Sequence, residues 1–261
     1  MTTEQRDLSA ALVAFLARTD PDGRVVKTPP APFVARGDGM YAGDDDYYLQ
    51  VGHAALSPIL QSLSAVNRRV SEVSSILDYA CGFGRVSRWL KASFPHAKLV
   101  CADLDPKAVA AVASILDVET MVLTKDLSRP LPGVFDLIWI GSLFTHLHED
   151  EVASVLRFLS KHLTPNGVIV ATTHGPYVVQ RMRSGEKNYN LPNDRIAAIA
   201  RDYDSAGSAF CPYPGLSDYG ISVIRAHAMA QLAYKAGFEV VFFKERGWVQ
   251  HQDCFGLRIA K

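Results

Sequence analysis

From Ser75 to Arg85 the chain reads Ser-Ile-Leu-Asp-Tyr-Ala-Cys-Gly-Phe-Gly-Arg, and this stretch constrains the fold more than any other. An apolar strand ends near a carboxylate, Asp78. A turn bearing Gly82 and Gly84 follows, and helical residues begin at about Val86. A second apolar strand, Leu99-Val100-Cys101-Ala102, ends on another carboxylate, Asp103. Strand, glycine turn, helix and strand, with an acid about 20 residues past the glycines, is an arrangement that holds a nucleoside-containing cofactor. The charge at Asp78 discriminates between cofactors. A dinucleotide sets its pyrophosphate over this turn, where a carboxylate repels it, and Ser87 stands where a third glycine would be expected. A cofactor with a cationic amino-acid tail is attracted instead. The carboxylate favours S-adenosylmethionine over NAD.

The rest of the chain extends the same rhythm. Strands are expected at 75–80, 97–103, 119–123, 134–140 and 167–173, with helices near 85–93, 106–116 and 149–162. Such alternation predicts a doubly wound, mainly parallel sheet covered on both faces. Ahead of it, Leu8 to Arg18 reads as an amphipathic helix, and 47–70 as two short helices broken by Pro58. Residues 1–70 are therefore expected to form an N-terminal helical cap on a catalytic domain spanning 71–261. Residues 175–220, rich in Gly, Pro, Tyr and Asn, show no sustained period and are expected to form a lid or substrate insert after the fifth strand. Ser222 is expected to cap a helix running to about Ala236, with Gly237 as its stop. Two last strands, 238–245 and 254–260, have only a tight connection and so must run antiparallel.

Composition removes several functional classes. At 261 residues the chain buries a large core. Its 27 lysines and arginines balance 27 aspartates and glutamates, so no global field draws it to nucleic acid or anionic lipid. Four scattered cysteines offer no C-x-x-C pair, which argues against a zinc ribbon. The N-terminus lacks a basic, apolar leader, and no apolar run approaches the roughly 20 residues that span a bilayer. No membrane insertion is expected, and the expected setting is a reduced cytoplasm.

Five parallel strands, a late helix and a terminal antiparallel hairpin resemble the seven-stranded class I S-adenosylmethionine-dependent methyltransferases. Asp78-x-Ala80-x-Gly82-x-Gly84 is similar to their first motif, and Asp103 to their ribose-binding acid. Asp126 matches the position facing the adenine amino group. Phe135-Asp136-Leu137-Ile138-Trp139 resembles the fourth-strand motif, and Leu163-Thr164-Pro165-Asn166-Gly167 the turn before the fifth strand. The resemblance covers roughly 70–175 and 222–261. It implies cofactor contacts from Asp78, Ala80, Gly82, Gly84, Arg85, Asp103, Leu104, Asp126, Leu127, Gly141 and Ser142. Two positions depart from the motifs. Ala80 replaces a glycine, which extended backbone would tolerate, and Asn166 replaces another, where asparagine is expected to adopt the left-handed region. More loosely, Gly141 to Leu147 and Gly247-Trp248-x-x-His251-Gln252-Asp253 resemble bacterial methyltransferases encoded beside surface-polysaccharide glycosyltransferases.

A sulfonium methyl is already activated, so the protein must align the acceptor, exclude water and take a proton from it. A sugar hydroxyl, with its high pKa, needs a base. His146 follows the fourth strand, His174 the fifth, and His251 lies in the closing hairpin, with Asp253 or Glu245 able to orient it. These three are the candidate bases. A metal site combining them with Asp253 lacks close ligand spacing, and no metal is expected. His148 reads as a solvated helix start, Asp44 to Asp46 as a solvated turn, and Asp105 as a cap. Tyr48, Tyr219 and Trp248 are the candidate substrate contacts. The expected reaction is methyl transfer to a hydroxyl of a sugar, glycoconjugate or small metabolite. The rivals are a small-molecule N-methyltransferase, an NAD-dependent oxidoreductase and a non-catalytic S-adenosylmethionine-binding module.

Overall fold

The computed structural model describes residues 5–260. The N-terminal part holds β1 (Arg6–Asp7), α1 (Ser9–Thr19), β2 (Phe33–Val34), α2 (Asp45–Ala54) and α3 (Leu56–Ala65). Asp44 caps α2 by accepting from the Tyr47 N–H at 3.0 Å. Asp45 and Asp46 add ion pairs to Arg6 and Arg18. Pro58 sits in the first turn of α3, where its missing N–H leaves no helical bond unmade.

The alternating region gives β3 (Ser75–Tyr79), α4 (Ser87–Ser93), β4 (Lys98–Asp103), α5 (Pro106–Ile115), β5 (Glu119–Val122), β6 (Phe135–Ile140), α6 (Glu149–Ser160) and β7 (Leu163–Thr173). The insert contributes α7 (Pro176–Arg183), α8 (Asn193–Ala206), β8 (Ser208–Pro212) and β9 (Gly220–Ile224). The chain closes with α9 (Ala226–Lys235), β10 (Phe238–Trp248) and β11 (Gln252–Ile259).

Seven strands form one sheet in the order β10-β11-β7-β6-β3-β4-β5. β11 alone runs antiparallel to its neighbours, as the short hairpin requires, and the other pairs of adjacent strands are parallel. Every residue of β6 is buried, as expected for a central parallel strand covered on both faces. One face carries α1 to α5 in a single apolar core that includes Leu49, Ile59, Trp89 and Trp139. The other face carries α6 and α9 around Leu156, Met229 and Phe238. Chain order reverses on either side of β3, which opens a crevice at the carboxyl ends of β3, β4 and β6.

Two sequence expectations fail here, at Ser222 and Asn166. Residues 175–220, expected as a lid or substrate insert, carry regular structure: α7, α8 and the β8–β9 hairpin enclose their own core of Val178, Met182, Ile199, Tyr203 and Val223. The elements are short and serve a separate core, so no long apolar period arises. Ser222 is no helix cap. It lies in β9 opposite Phe210, and its N–H donates to the Thr145 carbonyl at 2.8 Å; the helix starts four residues later. Asn166 does not adopt the left-handed region. β7 runs through it, and Gly167 is the constrained residue, since a Cβ there would lie 2.7 Å from Leu163 and 2.9 Å from the Phe135 carbonyl.

Candidate active site

The crevice is a cleft of about 820 Å³, within the range of small-molecule sites. Asp78 closes its floor, only 1% exposed, and accepts from the Ser87 hydroxyl at 2.6 Å. Burial pushes its carboxyl up to about 7; the Ser87 bond opposes the shift and the Asp103 charge adds to it. Asp103 ends β4 with both oxygens tied down. Oδ2 accepts from the Gly82 N–H at 2.8 Å and Oδ1 from the Asp105 N–H at 2.9 Å. Each oxygen retains a lone pair for a further donor. The turn also leaves the Phe83 and Arg85 backbone N–H groups without partners among the described residues. Asp105 caps α5 through the Lys107 N–H.

Ala80 corrects an expectation. Its backbone is not extended: φ is +64°, a left-handed conformation costly for any residue with a Cβ. The bonds from the Ala80 and Cys81 N–H groups to the Ala102 carbonyl hold it there. Leu127 and Ser142, which also line the cleft, have φ of +55° and +60°. Three non-glycine residues in this region around one cleft mark it as a constrained site. Asp126 lies at the margin and accepts from the Ser128 N–H and hydroxyl. Gly141 admits no side chain, because a Cβ would come within 2.7 Å of Trp139.

A closed polar ring supports Ser142. Its N–H donates to Thr172 Oγ1 at 2.8 Å, Thr172 donates to Gln252 Oε1 at 2.6 Å, and Gln252 Nε2 returns to Ser142 Oγ at 2.8 Å. Thr172 and Gln252 carry no sequence signal for this role, being 80 residues apart.

Of the three candidate bases only His146 lines the cleft. Its ring stacks on Tyr219 at 4.7 Å and 23°. Burial lowers its pKa, with the Gly220 carbonyl opposing the shift. His174 lies behind it, buried, with ring centroids 6.5 Å apart. Burial and the neighbouring His251 and His146 lower His174 to about 3, so it is neutral at physiological pH. His251 is set apart again, 5.5 Å from His174. Its Nδ1 faces Arg181 at 3.5 Å rather than Asp253, whose Oδ1 accepts from the Arg246 N–H. No group of three or more acidic, cysteine or histidine residues is arranged for a metal among the described residues. His148 caps α6 through the Asp150 N–H.

The aromatic candidates divide. Tyr219, 42% exposed, and Trp248 both line the cleft, and Trp248 is fixed by its bond to the Val51 carbonyl at 2.9 Å. Tyr48 does not reach it. Buried beneath the cap, its hydroxyl donates to Asp38 at 2.6 Å, and Asp38 lines the cleft in its place. Asp38 and Met40 were invisible as site residues in a turn-rich segment lacking periodicity.

Residues 77–169 match a family model described as a methyltransferase domain. The chain is 28% identical over 140 residues to the malonyl-[acyl-carrier protein] O-methyltransferase of Bacillus anthracis, covering 51% of each chain. It is 30% identical over 114 residues to the ribosomal RNA small subunit methyltransferase C of Pasteurella multocida, covering 39% of this chain and 34% of that one. The chain thus spans about half the length, or less, of the curated relatives it matches. Among solved structures, an S-adenosylmethionine-dependent methyltransferase from Clostridium acetobutylicum matches with a TM-score of 0.57 at 12% identity, over 81% of this chain and 92% of that one. That likeness is one of fold.

Proposed function

We propose that the chain is a class I, S-adenosylmethionine-dependent methyltransferase that transfers a methyl group to a hydroxyl of a sugar, glycoconjugate or other small metabolite, a reading supported by the match of residues 77–169 to a methyltransferase domain. The observation that carries the proposal is the pair of carboxylates at the cleft: Asp103, fixed by two backbone N–H groups, and Asp78, buried without a cation. The donor set fits the cofactor. Asp103 suits two ribose hydroxyls in a charge-assisted pair. Asp78 suits an ammonium, whose charge relieves the cost of burying the carboxylate. The unpaired N–H groups of the glycine turn suit a carboxylate.

When bound, S-adenosylmethionine supplies a methyl group already activated on a sulfonium. The remaining tasks fall to the chain. Tyr219 and Trp248 present aromatic faces to the C–H surfaces of the acceptor. His146, with Nδ1 held by the Gly220 carbonyl, takes the acceptor's hydroxyl proton on Nε2, a role worth about 10²–10⁴-fold in rate. The two relatives' names give different acceptors, a malonyl-[acyl-carrier protein] and a ribosomal RNA, so they support methyl transfer without favouring one acceptor.

Calorimetry with S-adenosylhomocysteine and with NADH tests the cofactor. S-adenosylhomocysteine is expected to bind and NADH not, and Asp103→Ala is expected to weaken binding at least about tenfold. Tight binding of NADH alone would sink the proposal. Transfer of labelled methyl to a panel of hydroxyl and amine acceptors tests the acceptor atom, and turnover of amines alone would overturn the hydroxyl.

A further inference from the structure

Two permanent cations line the cleft, and only one is satisfied. Lys125 pairs with Asp218 at 2.8 Å. The guanidinium of Arg85 makes no hydrogen bond or ion pair with any described residue; its neighbours Tyr48, Asp38 and Tyr47 act on it only through space. Arg88, one turn further, shows the contrast: its Nη1 donates to the carbonyls of Ala31 and Phe33, at 2.8 Å each. Arg85 is mostly buried, and burial disfavours its charged form. Asp38, the carboxylate whose charge acts on Arg85, already spends one oxygen on the Met40 N–H and the other on the Tyr48 hydroxyl. A partly buried guanidinium that faces a ligand cleft without a protein partner suits an anion from the ligand.

The cofactor's own carboxylate is the wrong partner. It shares a carbon with the ammonium that Asp78 is proposed to receive, so its partner must lie close to Asp78. Arg85 stands instead among the cap residues Tyr48, Asp38 and Tyr47, whose charges act on it. The Arg85 guanidinium leans onto the cap wall, 5.9 Å from the Tyr48 ring centroid, beside Asp38 and Met40. We propose that Arg85 receives a carboxylate of the methyl acceptor, making the acceptor a small organic acid that also bears the hydroxyl to be methylated. Bidentate geometry favours a planar carboxylate at a guanidinium.

The inference rests on the proposed cofactor site, and its test separates the two. Protein saturated with S-adenosylhomocysteine is titrated calorimetrically with two matched pairs, glucuronate against glucose and mandelate against mandelamide. At least one acid is expected to bind about tenfold or more tightly than its neutral partner, and Arg85→Gln to erase the difference while Arg85→Lys keeps part of it. S-adenosylhomocysteine affinity of both variants is expected within about threefold of the parent, and thermal melts of the variants report their folding. Acids that bind no better than their neutral partners overturn the inference. So does an Arg85→Gln variant that loses S-adenosylhomocysteine but keeps 5′-methylthioadenosine, which assigns the guanidinium to the cofactor tail. A parent that binds no S-adenosylhomocysteine overturns the methyltransferase reading itself.

Discussion

His146 Nδ1 lies 2.7 Å from the carbonyl oxygen of Gly220, and a carbonyl only accepts, so Nδ1 carries the proton and Nε2 keeps its lone pair. Backbone bonds from the Gly220 N–H to the His146 carbonyl and from the Ser222 N–H to the Thr145 carbonyl clamp the same loop. A hairpin of the insert therefore fixes the tautomer of the candidate base. It is the inserted segment, not the parallel sheet, that orients this ring.

The first prediction concerns that ring. Its folded pKa is depressed by burial, so it loses its proton below the ordinary value of 6.5 and stays neutral through pH 7. Nitrogen-15 NMR of histidine-labelled protein is expected to show the Nδ1–H tautomer with a midpoint under 6.5. His146→Ala is expected to lower turnover by about 10²–10⁴-fold while leaving S-adenosylhomocysteine affinity nearly unchanged. A midpoint at or above 6.5, or full turnover in the variant, removes His146 from the role of base.

Asp78 gives a pH dependence of the opposite kind. Its carboxyl titrates at about 7 when folded, against an ordinary 3.8. A group whose folded pKa is raised contributes stability that is fully present below 3.8 and is lost as pH rises toward and through 7. Relative to Asp78→Asn, the unliganded parent is therefore expected to lose stability between pH 5 and pH 8. Binding a ligand with an ammonium tail returns the carboxyl to its ionised form, so binding near pH 7 releases a proton. Calorimetry of S-adenosylhomocysteine in buffers of differing ionisation enthalpy measures that release, and a value of zero at pH 6.5 argues against this partner for Asp78.

Ala80 carries backbone strain that a single substitution relieves. The left-handed conformation costs about 1–2 kcal/mol for alanine, and glycine loses about 0.5–1 kcal/mol through its flexible unfolded chain. The net expectation for Ala80→Gly is a gain of roughly 0.5 kcal/mol, or about 1–2 °C in Tm. Differential scanning calorimetry reads it directly. A fall in Tm would mean that the Ala80 methyl contributes packing worth more than the strain.

How much of this was legible in the sequence follows from what fixes each part. The sheet was readable because its strands are apolar and separated by helices of ordinary length, and Asp78 and Asp103 because strand ends and a glycine turn locate them. Ala80 was misread since a motif gives residue types and not φ; only the bonds to Ala102 show why a glycine would be preferred. The insert is legible as an insert but its elements are not, because α7, α8 and the β8–β9 hairpin bury their apolar residues against one another, in runs too short for a period. Sequence position groups His174 with His146 at strand ends and adds His251 from the closing hairpin. Burial and the facing Arg181 separate them, and neither is a property of sequence spacing.

Gln252 extends the argument to a residue to which the sequence assigns no role. It receives a bond from Thr172 and donates one to Ser142, joining the start of β11 to the middle strands just where the left-handed Ser142 lines the cleft. Gln252→Leu keeps the approximate volume and removes both bonds. The buried Thr172 hydroxyl then loses its acceptor, at a cost of about 1–3 kcal/mol in stability. Ser142 keeps its N–H bond to Thr172 but loses the amide that fixes its hydroxyl, so its strained conformation is less firmly held. The expected result is a weakening of S-adenosylhomocysteine binding by about five- to tenfold, beyond the loss of Tm. Asp253→Asn serves as the comparison, because Asp253 is buried at the neighbouring position yet bonds only the Arg246 N–H, away from the cleft. It is expected to shift Tm while leaving the affinity in place. Equal loss of affinity in both variants would mean that disturbing this edge of the sheet suffices, and that the Gln252 amide has no particular role in holding the cleft.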